Sequence, residues 1–135
     1  MAARTPTALG ATKTTFANNI LVGGGLAAKI DGPNTGAVWS GNLLWKTRGA
    51  GDLPASGFTE INPGLAKDAA GIDRLAPGSP AIDVASGDFP AVRVDFDGQP
   101  RSGKKDVGAD EFSESPAGAR ILTEKDVGPG ASDEN

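Results

Sequence analysis

The chain has no cysteine, no histidine and no tyrosine among its 135 residues, and only one methionine. Without thiols there can be no disulfide, no thiolate metal centre and no cysteine nucleophile. Without imidazole, the commonest general base and the commonest zinc ligand are both missing. Acid–base chemistry, if present, must come from Lys, Arg, Asp or Glu. No apolar run approaches the ~20 residues that a membrane-spanning helix needs, and Met1 to Gly10 lacks the apolar centre of a secretory signal. There is no basic block, and 13 Lys+Arg against 17 Asp+Glu leave a net charge of −4. That balance argues against nucleic acid as a partner.

What the chain does have is turn residues. Twenty glycines and ten prolines recur too often for long helices. With 38% hydrophobic residues, the expectation is a globular, all-β protein of short strands, either one modest domain or a piece of a larger one.

Met1 to Thr12 shows neither helical nor strand periodicity, and residues 1–13 read as a flexible lead-in. From Thr14 the pattern becomes strand-like. Thr14 to Val22 ends at Gly23-Gly24-Gly25, Leu26 to Ile30 ends at Asp31-Gly32-Pro33-Asn34, and Ala37 to Trp45 follows. The first and third segments repeat: at an offset of 23, Phe16 meets Trp39, Asn19 meets Asn42, Ile20 meets Leu43 and Leu21 meets Leu44. Short strands with Gly/Asn corners at a period in the twenties predict a stacked solenoid, with a parallel β-helix as the candidate. Asn19 and Asn42 are then expected to stack in a corner, where an amide bonds the backbone of adjacent turns. Lys46 to Ser56 reads as loop, Gly57 to Ile61 as a strand, and Leu65 to Leu75 as irregular chain or a single helical turn.

The stretch from Ser79 to Glu111 holds the densest chemistry. Ser79-Pro80 predicts a capped turn, Ala91 to Phe96 a strand, and Asp97-Gly98 a turn. Asp95, Asp97, Asp106, Asp110 and Glu111 offer hard oxygen ligands. However, Arg93 and Lys104 stand where a helix–loop–helix calcium loop needs its first and last ligands. The expectation is therefore architectural, with Arg101 or Arg93 tying Asp110 or Glu111, and no metal ligands are assigned. Glycoside hydrolysis by two of these carboxylates lacks any spacing that would place them in one cleft. Residues 14–112 read as coils plus a segment closing over the last coil, and 113–135 as an extended tail.

Several stretches together resemble a known family. Thr15-Phe16-Ala17-Asn18-Asn19-Ile20-Leu21-Val22, Trp39-Ser40-Gly41-Asn42-Leu43, Ser79-Pro80-Ala81-Ile82-Asp83, Asp95-Phe96-Asp97-Gly98-Gln99-Pro100-Arg101, Lys105-Asp106-Val107-Gly108-Ala109-Asp110-Glu111 and Leu122-Thr123-Glu124-Lys125-Asp126-Val127-Gly128-Pro129 occur in that order. They resemble the C-terminal part of polysaccharide lyase family 6, the alginate lyases and chondroitinase B.

The resemblance implies a right-handed parallel β-helix, here its last few coils and C-terminal closing segment. It implies β-elimination of acidic polysaccharides such as alginate in full-length relatives, often with calcium, and a secreted or periplasmic location. The relatives' catalytic residues belong to earlier coils, and none can be carried onto this chain. Three functional expectations follow. The first is a lyase-type unit inactive by itself. The second is a mini-lyase assembled between subunits from Lys29, Lys46 or Arg48. The third is a non-catalytic carbohydrate-binding or assembly module using Trp45, Lys46 and Arg48. An exposed coil end also predicts self-association, or docking to N-terminal coils not contained in the chain.

Overall fold

β-branched and aliphatic residues separated by residues that tolerate left-handed dihedrals give strands of two to four residues rather than long ones. The computed structural model describes residues 11–114 and 122–123. A first row of strands comprises β1 (Ala11–Thr12), β2 (Thr15–Ala17), β3 (Ile20–Val22) and β4 (Leu26–Ala28). A second row comprises β5 (Asn34–Thr35), β6 (Val38–Ser40), β7 (Asn42–Trp45) and β8 (Gly49–Gly51). Each strand of the first row runs parallel to its counterpart in the second. Ala11 faces Asn34, Phe16 faces Trp39, Ile20 faces Leu43 and Leu26 faces Gly49. The offset of 23 read from the sequence is thus the strand register itself, and Asn19 and Asn42 meet at that separation.

The repeat extends into the backbone angles. Lys13 and Gly36 have φ of 54° and 71°, Asn18 and Gly41 have 58° and 63°, and Gly23 and Lys46 have 70° and 54°. All three pairs are one period apart and lie in the left-handed region where chains turn corners. Gly41 is constrained further, since a Cβ there would lie 2.3 Å from Asn18 Oδ1.

The third row is shortened. After a single 3-10 turn at Ala55–Gly57, β9 (Phe58–Glu60) pairs parallel with β7, Asn42 facing Phe58. The chain then leaves the parallel arrangement for an antiparallel hairpin, β10 (Leu65–Lys67) with β11 (Asp73–Leu75). The described residues are all-β, with five small sheets.

Four expectations need correction. Ala11–Thr12, within the expected lead-in, pairs with Asn34–Thr35; Met1 to Gly10, and most of 113–135, lie outside the described residues. Lys46 to Ser56 is not all loop, because Gly49–Gly51 follows Leu26–Ala28 so closely that a Cβ on Gly51 would lie 2.0 Å from the Ala28 carbonyl oxygen. Leu65 to Leu75 is a hairpin, its turn held by Asp68 accepting from the backbone N–H groups of Ala70 and Ile72. Ala91 to Phe96 forms no strand, only a bridge between Val94 and Pro100, since the Asp95 carboxylate takes neighbouring N–H groups that a ladder would use.

Strand alternation divides the apolar residues between two places. Phe16, Leu21, Trp39 and Leu53 line one cavity, with the Phe16 and Trp39 rings stacked at 4.4 Å and 11°. Leu43 instead joins Leu75, Ala81 and Val107 in a buried cluster against which Ile20, Ile61 and Leu65 pack. The 79–111 segment therefore lies along the side of the parallel strands rather than over their end. It reaches back to the first row: Asn18 Nδ2 donates to the Ser86 carbonyl at 2.9 Å, Ser86 N–H donates to Asn18 Oδ1 at 2.8 Å, and Gly108 N–H donates to the Asn18 carbonyl at 2.9 Å. At its start, Ser79 Oγ donates to the Pro63 carbonyl at 2.6 Å and accepts from Ala81 N–H, as a capping serine does.

Asn42 is fully buried and ties the rows together. Its Oδ1 accepts from the Asn19 N–H and Nδ2, and its Nδ2 donates to the carbonyls of Phe16 and Gly57. Replacing Asn42 by Ala strands these partners and should cost about 3 kcal/mol, whereas Asn19→Ala, at an exposed site, should cost about 1 kcal/mol. Urea unfolding of both variants checks this; equal losses would show that Asn42 has no special place.

Candidate functional site

The densest polar cluster forms where the Asp97-Gly98 turn meets β11. The Asp95 carboxylate is buried and accepts from the N–H groups of Asp97, Gln99 and Glu111 at 2.9, 2.8 and 3.2 Å. It is a turn-forming aspartate, whose side chain takes the backbone N–H groups two and four residues on, and Gly98 adopts a φ of 81° within that turn. Beside it, Arg74 of β11 is bound on three sides: its Nε donates to Asp68 at 3.0 Å, and its terminal nitrogens donate to Asp97 and to Asp110. The guanidinium also lies over the Phe96 ring at 4.4 Å, a favourable cation–π contact. Asp110 accepts in addition from Leu75 N–H.

The electrostatics follow from this packing. The Asp97 carboxylate, then Asp68 and Asp110, hold the Arg74 guanidinium protonated beyond its ordinary range, against the opposing effect of burial. Asp68 sits below its usual 3.8, first through the Ile72 N–H bond and next through Arg74.

Oxygens of Asp95, Asp97 and Asp110 lie within 4.8 Å of one another, a spacing that suits a hard cation. Their charge is already met. Arg74 stands against two of the three, so a divalent ion would have to expel it.

A second lock joins two residues ten apart in the sequence, Arg101 and Glu111. Arg101 donates through Nε to Glu111 at 2.9 Å and through its terminal nitrogens to the carbonyls of Gly108 and Asp106. The expected Arg101–Glu111 tie is therefore present. Asp110 belongs to Arg74 instead, and Arg93 contributes its carbonyl to the Arg101 N–H. Asp106 accepts from Asp83 and Phe112 N–H groups, fixing both ends of the segment. These carboxylates carry backbone or guanidinium partners, which makes the cluster a lock between hairpin and side segment.

Arg74 was not legible as a functional residue. Its one sequence signal is a lone cation directly before Leu75 in a short β-rich run, and only the fold brings Asp68, Asp97 and Asp110 to it.

The other candidates are spread over the parallel rows. Lys29 is exposed and paired with Asp31 at 3.5 Å. Trp45, half-buried at the end of β7, carries the Lys46 ammonium 5.9 Å from its ring centroid. Arg48 is exposed and anchored through its N–H to the Gly25 carbonyl at 3.0 Å. Trp45 and Lys46 are brought together. Lys29 sits beside the cavity lined by Phe16 and Trp39, which neither Lys46 nor Arg48 lines. No protein-family model matches the chain, and neither the curated proteins nor the solved structures gave a match.

Breaking the Arg74 cluster should be costly. With the Arg74 side chain 12% exposed and Asp97 1%, Arg74→Met leaves buried charge uncompensated and should lose about 3 kcal/mol in chemical denaturation. The depressed Asp68 carboxyl contributes stability that is complete above pH 3.8 and is lost as pH falls below that value. Asp68→Asn should therefore flatten the acid limb of the stability–pH curve while leaving its pH dependence near neutrality unchanged. An unchanged acid limb would contradict the assignment.

Proposed function

We propose that this chain is a closing unit of a right-handed parallel β-helix of the polysaccharide-lyase type, serving assembly rather than catalysis. The observation that carries the reading is the constant 23-residue register between the first two rows, with Asn42 bonded to the strand segments on either side of it. Row-to-row bonding of that kind suits a solenoid, in which a single row cannot bury its hydrophobic face and stacked neighbours complete the core. The assembly role is favoured over lyase chemistry by the placement of the basic residues. Lys29 is engaged with Asp31, Lys46 lies over Trp45, and the buried arginines Arg74 and Arg101 are bound by their own carboxylates. β-Elimination needs a base and a cation converging on one uronate. The paired Lys46 and Trp45 are the residues this reading assigns to contact with an acidic polysaccharide, since a ring face and an ammonium together suit a carboxylated sugar.

Calcium, which the family resemblance implies, would bind at Asp95, Asp97 and Asp110 only in exchange for Arg74. These residues do not fit it as they stand.

The test is spectrophotometric. Incubation with alginate and with other uronate polymers, with and without calcium, should leave the absorbance of the C4–C5 double bond flat. In the same samples, migration through an alginate-containing gel should be retarded, and Trp45→Ala should relieve it. A rise in absorbance that Lys46→Ala removes would overturn the assembly reading in favour of an active small lyase.

A further inference from the structure

Two Asp-Gly steps occur in the chain, Asp31-Gly32 and Asp97-Gly98, and the fold treats them in opposite ways. An aspartate followed by glycine is chemically labile, because glycine has no Cβ to keep its own nitrogen from the neighbouring side chain. Asp31-Gly32 lies in the connection between β4 and β5, outside any strand. The Asp31 side chain is 84% exposed, and the Gly32 N–H has no acceptor among the described residues. The Asp31 carboxylate meets Lys29 at 3.5 Å, but Lys29 is itself 74% exposed, and a surface pair of that kind restrains a side chain weakly. Gly32 has a φ of 97°, a conformation open to glycine at no steric cost.

Asp97-Gly98 is the same dipeptide with its reacting groups engaged. The Asp97 side chain is 1% exposed and bound by the Arg74 guanidinium. The Gly98 N–H donates to the Asp95 carbonyl at 3.1 Å. The nitrogen that would attack and the carboxyl it would attack are both fixed elsewhere.

We infer that Asp31 is a site of spontaneous isoaspartate formation in the folded protein, and that the Arg74 lock protects Asp97 from the same reaction. The Gly32 nitrogen gives up its proton and bonds to the Asp31 side-chain carboxyl carbon. A C–O bond of that carboxyl breaks, and one water leaves to give a cyclic imide. Water then adds back to one of the two ring carbonyls. Addition at the side-chain carbon restores aspartate. Addition at the main-chain carbon breaks the original peptide C–N bond, and the chain now runs through the side chain with a free α-carboxylate. No co-reactant besides water is needed, and the mass is unchanged. The product carries one more carbon in its main chain, on the rim of the cavity that Asp31 helps to line. Neither Asp31 nor Gly32 belongs to a ladder, so the pairings of β4 with β8 and of β5 with β1 lie on either side of the insertion.

Trypsin separates the two steps, since cleavage after Lys and Arg yields one peptide from Ile30 to Lys46 and another from Val94 to Arg101. The full 135-residue chain is held folded at neutral pH and physiological temperature for several weeks, then digested and chromatographed. The Ile30–Lys46 peptide should divide into two peaks of equal mass, one of them resistant to an endoprotease that cuts before aspartate. The Val94–Arg101 peptide should stay single. In a sample aged in urea, both peptides should divide, because the protection of Asp97 is lost with the fold. Asp31→Glu, at an exposed side chain, should keep the first peptide single, since its longer side chain closes a six-membered ring far more slowly. An Ile30–Lys46 peptide that stays single in the folded wild type, or that divides equally in Asp31→Glu, would overturn the assignment of Asp31. Division of Val94–Arg101 at the same rate in the folded chain would overturn the protective role of the Arg74 lock.

Discussion

Everything in the parallel part of this protein depends on one amide. Asn42 is buried to 1% exposure and spends both donors and both lone pairs of its oxygen on groups from the chain segments on either side of its own row. A buried amide left half-satisfied is a liability, and a fully satisfied one selects a single arrangement of its neighbours. Here it sets the height of the Phe16 carbonyl against Gly57 and so fixes the register of β2, β3, β7 and β9. With the register set, Leu21 falls on the cavity side and Ile20 on the side of Leu43, Leu75 and Val107. A slip of one residue would exchange those faces.

The carboxylate-rich segment uses the same logic with charges. Asp95, Asp106 and Arg101 replace backbone pairing that a strand would provide. Their partners are mostly N–H and carbonyl groups of a chain running without regular structure. Such a segment cannot bury its backbone unless side chains satisfy it. The density of acidic residues between Asp95 and Glu111 is thus a consequence of irregular chain packed against a core.

The repeat was legible because identity and register coincided: aromatic over aromatic, Asn over Asn, aliphatic over aliphatic. The Arg101–Glu111 tie was legible from the pairing of charges across a turn. Where one period carries glycine and the next does not, as at Lys13 with Gly36 and Gly23 with Lys46, only the dihedral angle repeats. Those corners could not be read as copies. The strand at Gly49–Gly51 was hidden because its residues have no strand propensity and are held by the row beneath them. Arg74 was hidden because its three carboxylates come from residues 68, 97 and 110, a proximity that exists only after the hairpin docks. The absence of a strand at Ala91 to Phe96 follows from a competition, side chain against ladder, that alternation alone does not reveal.

The bond between Asn18 and residues 86 and 108 has a consequence for how the molecule comes apart. In stacked-repeat proteins each unit touches only its neighbours, and unfolding can peel from an end. Here a strap made late in the chain is fastened to the earliest row. The outermost row cannot fray without also losing Val107 and Ala81 from their packing. Unfolding should then be a single cooperative event despite the repetitive design. Folding, in turn, must wait for a loop of more than sixty residues to close, which places the chain among the slow, high-contact-order folders.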